Sequence, residues 1–171
     1  MGQHRGLVMS KKGMVCSAHP LSSWVGADVL AKGGNATDAA IAMAVATGVL
    51  LPNMCGIGGD AFMLYYDAKT KKVTAINGSG NVPIKATREY YISKGYDKMP
   101  LTGMLSVAVP GAVSVYFKAL SLFGSMKFED ISTYAIEYAR DGFPVGQINS
   151  ADMAADVDKL RKFAGASKIY L

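Results

Sequence analysis

Cysteine and histidine are scarce in this chain. There are two of each, Cys16 and Cys55, His4 and His19. Two cysteines cannot build a disulfide framework or a structural zinc site, and each is expected to serve as a small buried apolar residue. A nucleophilic Cys55 would need one of the two histidines within reach. Charge is also low: 18% of residues are charged and 50% are apolar, a globular composition rather than a disordered one. The net charge of +5 is scattered. Its densest cluster, Lys69, Lys71 and Lys72, falls at an expected hairpin tip. No basic stripe interleaves with aromatics, so no nucleic-acid partner is expected. The uncharged run 39–51 is shorter than the ~20 residues a membrane span needs and reads as a buried helix. Residues 1–12 carry no apolar stretch of the ~7–15 residues typical of a secretion signal, so a cytoplasmic location is expected. The sequons Asn35-Ala36-Thr37 and Asn77-Gly78-Ser79 then read as a helix cap and a turn.

What is present is a dense succession of local signals. "GMVCSA" (13–18) predicts a short buried strand. Pro20 suits a first helical turn, and Leu21, Val25 and Val29 form one apolar stripe that ends at Gly33-Gly34. Asn35 caps a second helix, with Asp38 three positions on. That helix, 36–51, is apolar all round and so is expected to be buried on most faces. Pro52 ends it. "AFMLYYD" (61–67) and "KVTAI" (72–76) predict an antiparallel hairpin over about 61–67 and 72–78. Both of its faces are apolar, which implies cover on both. The 36–51 helix is expected to pack on the sheet. Thr87 caps a short helix. A strand before Pro110 leads into a helix ending at Gly124. Phe128, Ile131, Tyr134, Ala135 and Tyr138 mark another helix, and "NSADMAADVDKLRKFA" a last one, capped by Asn149 or Ser150.

The glycines of "NMCGIGGDAF" raise the question of a phosphate cradle. Such a loop must follow a strand and open a helix, so that backbone N–H groups face the anion. Here a helix precedes the glycines and a strand follows, so they are expected to shape a turn. Asp60 could point toward a site or cap that turn.

The blocks from Gly13 to Val73, with "VPIKAT", "SVAVPGAVSVYFKALSLFG" and "AIEYARDGFPV", match in order. Together they make the chain resemble the front part of the large subunit of the γ-glutamyltranspeptidase family, over about Gly13 to Leu171. The resemblance implies an α+β fold of the N-terminal-nucleophile hydrolase type, an αββα sandwich of which only the N-terminal portion is present. Residues 1–171 would then be a single partial domain. It further implies a precursor that cleaves itself, exposing an N-terminal threonine that attacks an acyl amide. That threonine and the oxyanion-hole glycines would lie downstream. Thr37, Thr47 and Thr87 fall in or at the caps of helices, so no catalytic residue is expected in this chain, and neither a metal nor a cofactor is implied. A truncated sheet would need a complementary small subunit, or self-association, to cover its edges.

The substrate reading turns on Ser79. Members that hold a γ-glutamyl group carry an arginine at the end of the second strand, shortly before a proline, and it pairs with the α-carboxylate. Aligned on Pro83, that position is Ser79, flanked by Gly78 and Gly80. These three are the candidate substrate-binding residues. The "NGSG" form resembles the γ-glutamyltranspeptidase-like branch, which includes amidohydrolases acting on other small acyl amides. Arg88 is a second candidate for the carboxylate, though "ATREYY" places it in the first turn of a helix. Three readings stand open: transfer or hydrolysis of γ-glutamyl or related amides, an acylase for non-glutamyl substrates, and a non-catalytic fragment that assembles with a partner chain. On residues alone, Ser79 reads first as a turn residue after a strand, with Asn77-Gly78 making the bend, and His19 as a helix N-terminal residue.

Overall fold

The computed structural model describes residues 6–171, so His4 lies outside the described residues. Two helices come first, α1 (Pro20–Ala31) and α2 (Ala36–Leu50). His19 caps α1: its Nδ1 accepts from the Leu21 N–H at 3.2 Å. Gly33 turns the chain out of α1 with φ +94, a conformation that favours glycine. Asn35 and Asp38 then form a reciprocal capping box at the start of α2. The two helices approach closely because one contact is a glycine. A Cβ on Gly26 would stand 2.5 Å from Met43 Sδ.

The hairpin follows, with β1 (Ala61–Asp67) and β2 (Lys72–Gly78) paired antiparallel in the register Ala61↔Gly78 to Asp67↔Lys72. Asp67 organises its tip, accepting from Lys69 N–H and Thr70 Oγ1 at 2.9 and 2.8 Å. Beyond it lie α3 (Arg88–Ser93), a 3₁₀ turn (Met104–Ser106), α4 (Ala112–Phe123), α5 (Phe128–Ile131) and α6 (Thr133–Asp141). The chain closes with α7 (Gln147–Ala155), α8 (Val157–Leu160) and α9 (Ala164–Tyr170).

The core lies among α1, α2, α4, α5 and α6. Val25, Val29, Ile41, Ala42, Ala46, Leu50, Ala112, Tyr116, Ala119, Ile131 and Ala135 are all buried there. Alanines make up much of that set, which brings the helix axes together. α2 is buried or half-buried at every position except Ala36 and Ala40, as its charge-free sequence requires.

The hairpin rests on this layer through one face. Ala61, Met63 and Ile76 pack against the core, and Tyr65 stacks on Phe123 of α4 with ring centroids 3.9 Å apart. The helix laid directly under the hairpin is therefore α4, with α2 beneath it. The opposite face, with Phe62, Leu64, Tyr66 and Val73, is exposed. Cover on both faces is thus not met among the described residues. The architecture is mixed α and β: one helical layer and one two-stranded sheet.

Four further expectations are corrected. Residues 13–18 form no strand. A strand needs a ladder, and this stretch instead lays Val15 against α1 at Gly26. Residues 107–110 form no strand; Val109 passes against Gly80, just beyond β2, without joining the sheet. Cys16 and Cys55 are exposed, not buried. The last helix is three short ones. Gly146 caps α7, and the Asn149 side chain instead donates to the Leu50 carbonyl at 3.0 Å, fastening α7 to the end of α2.

Candidate substrate-binding loop and its scaffold

The segment Asn77-Gly78-Ser79-Gly80 leaves the end of β2 as a short, heavily pinned loop. Asn77 Oδ1 accepts from the Ser79 N–H at 2.9 Å, closing an Asx turn. Asp60 Oδ1 accepts from the Gly80 N–H at 3.1 Å. Both amides that flank the Ser79 side chain are thereby held. Ser79 itself is exposed, and among the described residues its hydroxyl has no hydrogen-bond partner.

The glycines here supply room rather than the bend. Neither Gly78 nor Gly80 has a positive φ. A Cβ on Gly80 would overlap the Val109 carbonyl, and one on Gly78 would overlap a Val115 methyl. Gly111 is under the same constraint, since its Cβ would overlap the Gly78 carbonyl oxygen. The bend is made by Asn77, so the expectation that Asn77-Gly78 jointly form a tight turn is half right.

The earlier glycine turn is the other half of this scaffold. Helix α4 has no side-chain cap. The Gly59 carbonyl takes that place, accepting from the N–H groups of Gly111 and Ala112 at 3.1 and 2.9 Å. Gly59 and Asp60 together thus join the start of α4 to the Ser79 loop, two consecutive residues serving two different elements. Nothing in the local pattern of "GIGGD" signals this; it depends on segments that meet only in space.

Other candidates fall away from this loop. Thr37 is buried in the first turn of α2, Thr47 Oγ1 donates to the Met43 carbonyl, and Thr87 Oγ1 accepts from the Tyr90 N–H. Each is part of a helix or its cap. Cys55 Sγ lies 3.9 Å from the Leu51 carbonyl, and although the residue is exposed, partial desolvation of the sulfur pushes its thiol up, the reverse of nucleophile activation. Arg88 is exposed at the start of α3. It lines an open cleft of about 820 Å³ with Tyr91, Tyr96 and Met99, and Ser79 is not in that wall. A separate groove of about 540 Å³ runs along β2 and α4 and reaches Asn77 and Gly78, with Lys118 in its side. Among the described residues no three His, Cys, Asp or Glu side chains gather as a metal site, and no helix is long and apolar enough to cross a membrane.

The family model "Gamma-glutamyltranspeptidase" matches residues 22–171. The chain belongs to the gamma-glutamyltranspeptidase family. It matches the N-terminal, large-subunit part of that family. Among curated relatives it is 36% identical to the glutathione hydrolase proenzyme of Bacillus subtilis (strain 168) over 173 aligned residues, covering 99% of this chain and 29% of the relative. It is 40% identical to the glutathione hydrolase-like YwrD proenzyme of the same organism over 153 residues, covering 89% of this chain and 28% of that one. The chain therefore spans less than a third of the length of these relatives. Among solved structures, Helicobacter pylori gamma-glutamyltranspeptidase superposes with a TM-score of 0.89 at 30% identity, over 95% of this chain and 47% of that one. Cephalosporin acylase from Bacillus halodurans superposes at 0.88 with 37% identity, over 95% and 30%. The family's fold over this segment is thus the fold of this chain.

Proposed function

We propose that this chain is the front part of an amide-acyl transferase or hydrolase of the γ-glutamyltranspeptidase-like kind, and that its Ser79 loop receives the acyl group of the substrate. The nucleophile is an N-terminal threonine supplied by a segment outside residues 1–171. The threonine α-amino group takes the hydroxyl proton, the hydroxyl attacks the amide carbonyl, and the amine leaves. Water or a second amine then accepts the acyl group. A complementary segment lies over Phe62, Leu64, Tyr66 and Val73 as a second sheet, which completes the αββα sandwich.

The observation that carries the substrate side of this reading is Ser79. Its side chain stands exposed, with no hydrogen-bond partner among the described residues, on a loop whose backbone is pinned on both sides. A serine hydroxyl cannot form the charged fork that an arginine offers a carboxylate. The preferred substrate is therefore a small acyl amide without the γ-glutamyl α-carboxylate. The 37% identity to a protein described as a cephalosporin acylase supports the same direction.

The test is Ser79→Arg in the full-length protein, assayed on a γ-glutamyl amide and on a neutral acyl amide. A gained charge-assisted pair contributes about 1.5–3 kcal/mol, so kcat/KM for the γ-glutamyl donor should rise about ten- to a hundredfold. A parent that is already efficient on the γ-glutamyl donor, with no gain from arginine, would sink the proposal.

A further inference from the structure

We propose that Asp60 is a positioning and specificity-determining residue for the Ser79 loop; the inference rests on the substrate-loop reading above. Two backbone N–H groups fix how Ser79 is presented. One, its own, is held locally by Asn77, two residues back. The other belongs to Gly80 and is held by Asp60, twenty residues away in sequence. The Asx turn sets residues 77–79 relative to β2. The orientation of the next peptide, and with it the direction in which the loop leaves Ser79, is set by the Asp60 carboxylate.

Asp60 has little freedom of its own. The preceding carbonyl, that of Gly59, is engaged by two N–H groups of the α4 start. The following residue, Ala61, opens β1 and pairs with Gly78. The carboxylate is thus carried on a single residue anchored on both sides. Gly80 is equally confined, because even a Cβ there would overlap Val109. A charge-assisted N–H to carboxylate bond between two such fixed points is stronger and more directional than a neutral one.

The same bond has an electrostatic consequence. Asp60 Oδ1 takes the Gly80 N–H, while Oδ2 has no hydrogen-bond partner among the described residues. No ion pair involving Asp60 occurs among them either. A formal negative charge therefore stands on the loop beside Ser79. A donor that brings a carboxylate to this loop meets no arginine and meets Asp60 as well, whereas a neutral or ammonium-bearing acyl group is not opposed. Discrimination then arises from a repulsive element as well as a missing attractive one.

The experiment separates acceptor from charge. Asp60→Asn keeps an Oδ1 acceptor and removes the charge; Asp60→Ala removes both. In the 171-residue chain, amide exchange of Gly80 should be faster than in the parent by about threefold or less in Asp60→Asn, whose neutral acceptor bonds more weakly, and by about tenfold or more in Asp60→Ala. In the full-length protein, Asp60→Asn should raise the kcat/KM ratio of carboxylate-bearing to neutral donors about fivefold, the scale of a like-charge repulsion in a solvated site. Should Asp60→Ala fail to fold, Asp60→Leu, which keeps the volume and lacks an acceptor, takes its place and should show the same faster Gly80 exchange. Equal Gly80 exchange in the parent and in the variants that lack an acceptor overturns the positioning role. An unchanged donor ratio in Asp60→Asn overturns the specificity role. An inert Ser79→Arg, by contrast, speaks only against the substrate-loop reading, because the Gly80 measurements do not depend on it.

Discussion

Asp38, in the first turn of α2, holds the turn at Ser125 eighty-seven residues away in sequence: its Oδ1 accepts from the Ser125 N–H at 3.0 Å and from the Met126 N–H at 3.2 Å. The Ser125 hydroxyl and the Asn35 N–H complete its partners. Beside it, the Asn35 side chain donates to the Phe123 carbonyl at 2.7 Å, at the last residue of α4. One capping box therefore starts α2 and finishes α4.

Asp38 should make the chain acid-sensitive. Burial opposes its ionisation, but the hydrogen bonds from Ser125, Asn35 and Met126 outweigh burial and hold its carboxyl below the usual range. A folded-state value below the unfolded one means stability that is present above about pH 4. It is lost as pH falls through the depressed value. Asp38→Asn should cost about 1.5–3 kcal/mol at neutral pH. Urea unfolding at several pH values checks both points: the gap between parent and variant should narrow as acid protonates Asp38.

Thr37 should be better as valine. Its residue is 1% exposed, and its Oγ1 is buried with no hydrogen-bond partner among the described residues. An unsatisfied buried hydroxyl costs about 1–3 kcal/mol, and valine has nearly the same shape. Thr37→Val is expected to raise stability by about 1 kcal/mol in thermal or urea unfolding. Thr37→Ala, which also opens a cavity, should not.

Gly80 and Gly58 should respond oppositely to alanine. At Gly80 a Cβ overlaps the Val109 backbone, whereas at Gly58 nothing lies within 4 Å. Neither has a positive φ. Gly80→Ala is expected to lose about 1–3 kcal/mol, the usual range for overpacking. Gly58→Ala should fall within about 0.5 kcal/mol of the parent. Equal effects would mean that the Gly80–Val109 contact is not maintained in solution.

The open face of the hairpin should drive association of the isolated chain. Phe62 is 69% exposed and Leu64 77%, on a strand face with Tyr66. A stable interface buries ~1,600 Å² in total, so neighbouring apolar residues such as Val73 must join in. Light scattering of the purified 171-residue chain should find it self-associated. Leu64→Lys should shift it toward monomer without unfolding it, because that side chain meets no core. A parent that stays monomeric at high concentration would count against the association.

Much of this molecule is local and was legible in the residues. Asn35 with Asp38, Pro20 after His19, Gly33 and the "AKT" tip of the hairpin each act within four residues. The helix starts and the hairpin bounds at 61–67 and 72–78 follow from them directly. The turn that carries Ser79 after the second strand was legible as well, since Asn77 stands two residues before it. Contact at a distance was not. Strand 13–18 failed because β pattern without a ladder is only a preference. One hairpin face stayed open because two-sided apolarity states a need for cover without naming what supplies it. Gly78, Gly80 and Gly111 look like turn glycines in sequence, yet Gly80 and Gly111 are small because another backbone crosses them, and Gly78 because a Val115 methyl does. That Asp60 should hold Gly80, and Gly59 cap α4, was decided only when three separated segments packed together. Hydrogen-bond geometry is fixed by distances in space, and no spacing along the chain encodes them.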